Sequence, residues 1–141
     1  MIGFQQHMHI LLLENVFKKE LIKNQNGIGK HLMKKYMVDI DGTICNQDRP
    51  KHNYLTAKPH LDRIEKLNKL YDEGHEIHYW TARGSSSGKD WRTFTKKQLE
   101  DWGCKATSIS CGKPMYDIWV DDKAINDKQF FNVNNDSIEN G

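Results

Sequence analysis

Tyr36-Met37-Val38-Asp39-Ile40-Asp41-Gly42-Thr43 is the stretch from which the fold class can be read. It begins as a short apolar run containing Val and Ile and ends in Asp-Gly-Thr, the pattern of a buried strand over 36–40 followed by a tight turn. On an extended chain, residues two apart project to the same side. Asp39 and Asp41 should therefore leave the strand end together. Two carboxylates so close repel each other unless a cation lies between them or one holds a proton. Either solution serves phosphoryl chemistry: an ionised carboxylate can attack phosphorus, and a proton-carrying neighbour can protonate the leaving oxygen. Taken alone, the same pair also suits a capped turn.

Downstream, strands and helices alternate. Pro59 fits the first turn of a helix, in which Leu61, Ile64, Leu67, Leu70 and Tyr71 share one face and Asp62, Glu65, Lys66 and Lys69 the other. Gly74 suits its end. A second strand is expected over 75–80, with His75 and His78 on opposite faces as structural residues. A helix is expected from about Lys89 to Trp102, with Trp91, Phe94, Gln98 and Trp102 aligned and Gly103 as the stop. A third strand is expected over 106–110, and a fourth over 117–120 running into Asp121-Asp122. This alternation predicts an α/β domain: a three-layer, Rossmann-like parallel sheet flanked by helices.

In open parallel sheets, ligands bind at the carboxyl ends of the strands. Asp39 and Asp41, Thr81, and Asp121 and Asp122 all fall there. The last two offer the hard oxygen ligands that Mg²⁺ requires. The apolar Ile118-Trp119-Val120 run before them predicts that they emerge from a buried strand. The plainer alternative is a solvated acidic turn. Thr81 could donate its hydroxyl to a phosphate oxygen or simply cap a helix. Lys113, before Pro114, could neutralise phosphate charge or be an ordinary surface lysine.

In order and spacing, Asp39-x-Asp41-Gly42-Thr43, Thr81, Lys113 and Asp121-Asp122 resemble the four motifs of the haloacid dehalogenase-like superfamily, over about Tyr36 to Phe131. The resemblance implies that Asp39 is a nucleophile forming an aspartyl-phosphate. It makes Asp41 the general acid and base, with its main-chain carbonyl on Mg²⁺. Thr81 and Lys113 would hold the phosphoryl group, and Asp39, Asp41, Asp121 and Asp122 would form the metal site, with Asn126 or Asp127 as support behind it. In this superfamily phosphatases have an acid at the position of Asp41 and members lacking it tend toward other chemistry, which favours a phosphatase over a dehalogenase or an ATPase. One departure stands out: Lys113 lies only eight positions before Asp121, too close for an intervening helix.

The excursion Cys45–Lys58 is long enough for a flap and too short for a cap domain. It offers Arg49, Lys51, His52, Tyr54 and Lys58. Gly42, Thr43, Ala82, Arg83, Gly84 and Ser85–Ser87 border the same crevice as candidate substrate contacts. A capless crevice either admits a bulky substrate or takes its lid from a second subunit of a homo-oligomer. The expected activity is Mg²⁺-dependent hydrolysis of a small phosphorylated metabolite, a sugar phosphate or nucleotide. An alternative is a 3′-phosphatase acting on nucleic-acid ends, because Thr81-Ala82-Arg83-Gly84 and Trp119-Val120-Asp121-Asp122 look similar to the phosphatase part of polynucleotide kinase-phosphatases. A different class again is a phosphate-binding module without catalysis.

The bulk properties agree with one such domain. The chain has 141 residues, 37% hydrophobic and 28% charged, with a formal net charge of +2. That length suits one domain, over 33–141, and the weak charge demands neither a nucleic acid nor an acidic membrane. Residues 1–32 read as an extension with a short amphipathic helix around Ile10–Ile22 and a turn or linker over 24–29. The chain becomes self-contained from Met33, which would suit a start there. The three cysteines have no framework or metal spacing, consistent with a reducing, cytoplasmic setting. Ile10–Leu13 is too short to span a bilayer.

Overall fold

The computed structural model describes residues 12–18, 33–47 and 53–132. Residues 12–18 are helical (α1). There follow β1 (Lys35–Val38), a 3-10 turn (Tyr54–Thr56), α2 (Leu61–Asp72), β2 (Glu76–Trp80), α3 (Arg92–Asp101), β3 (Ser108–Ser110) and α4 (Asp127–Asn132). The three strands form one parallel sheet in the order β1-β2-β3. It is a small α/β sheet with helical crossovers, compatible with a Rossmann-like fold.

The register sets which side chains make the core. Tyr36 pairs with Ile77 and Val38 with Tyr79, while Ile109 pairs with Tyr79 from the other side. Alternation puts these residues on one face. There Val38, Ile77 and Tyr79 are buried with Ile64 and Leu67 of α2 and Leu99 of α3. The apolar stripe of α2 faces the sheet as its periodicity predicts, and the helix ends at Gly74, whose φ of +102° suits a glycine stop. In α3 the buried face differs from the expected one. It runs through Thr95, Gln98 and Leu99, and Trp91 instead stacks edge-on against Tyr54 and Phe94.

Two expectations are corrected. Parallel crossovers are right-handed, and with strands laid down in sequential order both α2 and α3 fall on the same face. The opposite face carries Met37, His78, Trp80, Ser108 and Ser110, so the described residues form two layers rather than three. The fourth strand is also absent: residues 117–120 are irregular, with Ile118 82% and Val120 92% exposed. A parallel strand needs a crossover of a dozen or more residues, and only residues 111–116 separate β3 from this segment. The chain turns at Gly112, Lys113 N–H bonds the Thr81 carbonyl at 3.1 Å, and the segment runs on past the sheet edge toward α4.

α4 docks back onto α2. Arg63 pairs with Asp127 at 2.7 Å and lies over the Phe131 ring, Lys66 lies over Phe130, and Phe130 meets Tyr36 of β1. Near the other end of the chain, Asn15 of α1 donates to the Tyr71 hydroxyl at 3.2 Å. The rest of the expected Ile10–Ile22 helix, the linker over 24–29, and Arg49, Lys51 and His52 lie outside the described residues. Among the described residues no helix is long and apolar enough to cross a membrane.

Tyr79 is fully buried and its hydroxyl makes no geometrically sound hydrogen bond; its polar neighbour is the Cys104 thiol, a weak partner. A buried polar atom without a good partner costs about 1–3 kcal/mol. Tyr79→Phe, which keeps the ring packing, should therefore leave the denaturation midpoint unchanged or raise it by up to about 1 kcal/mol in equivalent stability. A clear fall in midpoint would mean that the hydroxyl is better satisfied than the geometry indicates.

Candidate functional site

The turn after β1 is built by its own backbone. Thr43 and Ile44 N–H groups bond the Ile40 carbonyl at 3.1 and 2.9 Å, and Gly42 N–H bonds the Cys45 carbonyl at 3.0 Å. Gly42 sits at φ +83°, where a Cβ would press on the Gln47 side chain. The excursion that follows is closed at its base: Asn46 and Lys58 exchange backbone contacts, and the Asn46 side chain accepts from Lys58 N–H at 2.7 Å.

Asp39, at the end of β1, is held from both sides. Thr43 donates its hydroxyl to Oδ2 at 3.1 Å, and the Lys113 ammonium approaches Oδ1 at 3.2 Å. The Asp39 side chain stays 35% exposed while that of Lys113 is 11% exposed, so a cation rests beside an accessible carboxylate. Behind this pair runs a support that begins at α4. Asp127 holds Arg63, and the same Arg63 nitrogen donates to the Thr43 carbonyl at 2.8 Å. Asp127 is thus linked to the turn through Arg63, a residue that the motif pattern does not single out.

Asp41 is bound in a different way. Arg83 donates through Nε to Oδ2 and through Nη2 to Oδ1, both at 2.9 Å. The guanidinium is 2% exposed, so it contacts Asp41 from within the protein and not from the crevice. Its remaining edge meets Gln98 Oε1 at 2.7 Å and Thr95 Oγ1 at 3.4 Å, and its carbon lies 4.6 Å from the Tyr54 ring centroid. Gln98 in turn donates to the Tyr54 carbonyl at 2.7 Å. Arg83, expected from the sequence to border the substrate, is instead the centre of a buried polar cluster. Two inward polar residues on α3, Thr95 and Gln98, were the sequence signal for it, since buried polar side chains require partners.

Thr81 is 1% exposed and its hydroxyl accepts from Arg83 N–H at 3.1 Å, a bond within the turn after β2 rather than a helix cap. Ala82 and Gly84 are half-buried in the following turn. Gly84 has φ +85°, and a Cβ there would collide with the Lys89 carbonyl oxygen. Ser85 donates to the Lys113 carbonyl at 2.7 Å, tying this turn to the lysine. Asp39, Asp41, Thr81 and Lys113 thus share the carboxyl edge of the sheet.

Asp121 and Asp122 do not join them. Both are exposed, and Asp121 accepts from Lys123 N–H at 2.7 Å, a bond that holds its carboxyl below the usual range. This is the acidic-turn alternative. Among the described residues no three His, Cys, Asp or Glu side chains gather to hold a metal ion. Both Asp41 carboxylate oxygens accept from Arg83, and Asp39 is in contact with Lys113. The Mg²⁺ site implied by the resemblance, the Asp39, Asp121 and Asp122 carboxylates with the Asp41 main-chain carbonyl, is therefore not gathered into one cluster among the described residues.

Cys45 lies directly beneath the site, its thiol 3.5 Å from Asp41 Oδ1. Burial, and then the Asp41 charge, push it up to about 12, and burial pushes Cys104 up to about 11. Both pKa values are raised in the folded state. Their contribution to stability is thus complete below the unfolded thiol range near pH 9 and is lost as pH rises toward 11–12. The denaturation midpoint should fall progressively above about pH 9, and Cys45→Ala should flatten that fall. An unchanged slope would place the titration elsewhere.

No protein-family model and no curated protein matches this chain. Among solved structures, the chain is similar to the crystal structure of an MCSG target from Vibrio cholerae. The two are 27% identical, the match covers 76% of this chain and 94% of that chain, and the TM-score is 0.65.

Proposed function

We propose that this chain is a phosphohydrolase of the haloacid dehalogenase-like type that cleaves a phosphate monoester through an aspartyl-phosphate on Asp39. The observation that carries the reading is the Asp39–Lys113 pair at the sheet edge: an accessible carboxylate with an ammonium 3.2 Å from one oxygen. Phosphoryl transfer needs chiefly positioning and charge neutralisation. Lys113 would attract the phosphate dianion and Thr43 would orient the attacking carboxylate. An Asp39 oxygen forms the new bond to phosphorus as the ester P–O bond breaks, and the leaving oxygen takes a proton. Asp41 is the group to exchange that proton. Its carboxylate is held in place by Arg83 at both oxygens and by the Cys45 thiol at Oδ1. In the second half, water attacks phosphorus, its proton passes to Asp41, and the Asp39 carboxylate is regenerated with release of inorganic phosphate.

The resemblance also predicts a need for Mg²⁺, although Asp121 and Asp122 stand apart here. The test is phosphate release from sugar phosphates, nucleoside monophosphates and a 3′-phosphorylated oligonucleotide, each with Mg²⁺ and with chelator. Release that depends on Asp39 supports the proposal. Folded protein that releases phosphate from no ester under either condition would overturn it in favour of a binding module. Preference for the oligonucleotide would select the nucleic-acid-end alternative.

A further inference from the structure

Lys113 faces aromatic rings as well as Asp39. Its ammonium lies 5.0 Å from the Tyr116 ring centroid and 5.7 Å from that of Trp119. Trp119 is braced edge-on against Tyr116 at 5.0 Å and against Trp80 of β2 at 6.0 Å. Tyr116 is nonetheless 47% exposed and Trp119 41% exposed. Two large rings thus remain open to solvent, held in place by a third, within one side-chain length of the cation that would bind phosphate. From these observations we infer that Tyr116 and Trp119 form a stacking subsite for the part of the substrate that bears the phosphate. The inference rests on the phosphohydrolase reading for the phosphate position and deepens it by naming the substrate class.

The surroundings narrow that class. A phosphate seated on Lys113 leaves its ester group a few ångströms from the rings, the reach of a ring attached directly or through one carbon. Ring faces stack flat, apolar surfaces: a nucleobase or the C–H face of a pyranose. An open-chain ester has no such face. Asp117, Asp121 and Asp122 flank the platform and are exposed. They repel further phosphates while accepting hydroxyl or amino hydrogens. The ligand is therefore a monophosphate of an uncharged ring-bearing alcohol, either a pyranose or a nucleoside. Polyphosphates and oligonucleotides are disfavoured by the acidic flank.

The experiment compares KM for a hexose 6-phosphate, a nucleoside 5′-monophosphate and glycerol 3-phosphate in the natural chain, Trp119→Ala, Trp119→Phe and Tyr116→Ala. Trp119→Ala should raise KM for at least one ring ester about 10-fold more than for glycerol 3-phosphate, and Trp119→Phe should recover most of that loss. The ring ester that loses more identifies the source. Equal changes across all three esters, or none, would overturn the subsite. Because Trp119 is packed against Trp80 and Tyr116, folding of the variants is checked by their melting transitions, and Tyr116→Ala repeats the test independently. Equilibrium dialysis of the same esters separates the two readings if no ester is turned over. Binding that depends on Trp119 would keep the platform and discard the phosphatase, whereas no binding would discard both.

Discussion

Asp39→Asn should abolish phosphate release, by roughly 10⁴-fold or more in kcat, while the protein stays folded; that is the result expected if Asp39 is the nucleophile. The structural cost is small. The Asp39 side chain is 35% exposed, so its pair with Lys113 is screened by water and contributes at most about 1 kcal/mol. An asparagine oxygen can still accept the Thr43 hydroxyl. The melting transition should therefore shift by only a few degrees, and loss of activity cannot be ascribed to unfolding. A second readout isolates the covalent step. Acid quenching of the natural chain during turnover should trap an acyl-phosphate that hydroxylamine releases, and the variant should trap none. Residual turnover within tenfold of the natural chain would remove Asp39 from the nucleophile's place.

Arg83→Ala should unfold the protein or cost about 3–5 kcal/mol, the penalty for leaving a largely buried carboxylate without its counter-ion. The Asp41 side chain is 11% exposed and that of Arg83 is fully buried. The same change strips Gln98 and Thr95 of a donor and Tyr54 of the cation beneath its ring. Arg83→Lys keeps the charge but cannot make two parallel bonds to one carboxylate, so it should recover part of the stability and little of the activity. The informative variant is the double replacement Arg83→Met with Asp41→Asn. Removing both charges relieves the buried imbalance and should restore most of the stability lost in Arg83→Ala. It should not restore turnover if Asp41 is the group that exchanges the proton. A stable, active double variant would show that the pair serves the fold alone. Denaturant titration and phosphate release, measured on the same preparations, separate these outcomes.

Much of this arrangement was legible in the residues. The apolar run ending in Asp39 and Asp41 gave β1 and its turn, and the spacing of Ile64, Leu67, Leu70 and Tyr71 gave α2. Both signals are local, and the structure adds only small shifts at their ends. The convergence of Asp39, Thr81 and Lys113 follows from strand polarity, since parallel strands bring their carboxyl ends together. Ile118-Trp119-Val120 misled, because an apolar run reads as a buried strand whether or not the chain has length to return to the sheet. The decisive quantity was the short interval after Ser110, a topological limit rather than a compositional one. Arg83 misled for a different reason. Its place in a turn beside the crevice suggested a ligand contact, and only the inward polar pair on α3 indicates that the guanidinium points into the protein.

The distances along the chain between the paired residues bear on when the site can exist. Lys113 and Asp39 are 74 positions apart, and Arg83 and Asp41 are 42 apart. Neither contact can form until the β1–β2 pairing has closed its long loop, and closing such loops costs entropy before any contact repays it. During refolding, helix α2 can form early from local contacts, but Asp39 acquires its cation only when the sheet is complete. Both ion pairs are therefore acquired only as the sheet closes, and partly folded chains carry Asp39 and Asp41 as two unneutralised, mutually repelling charges.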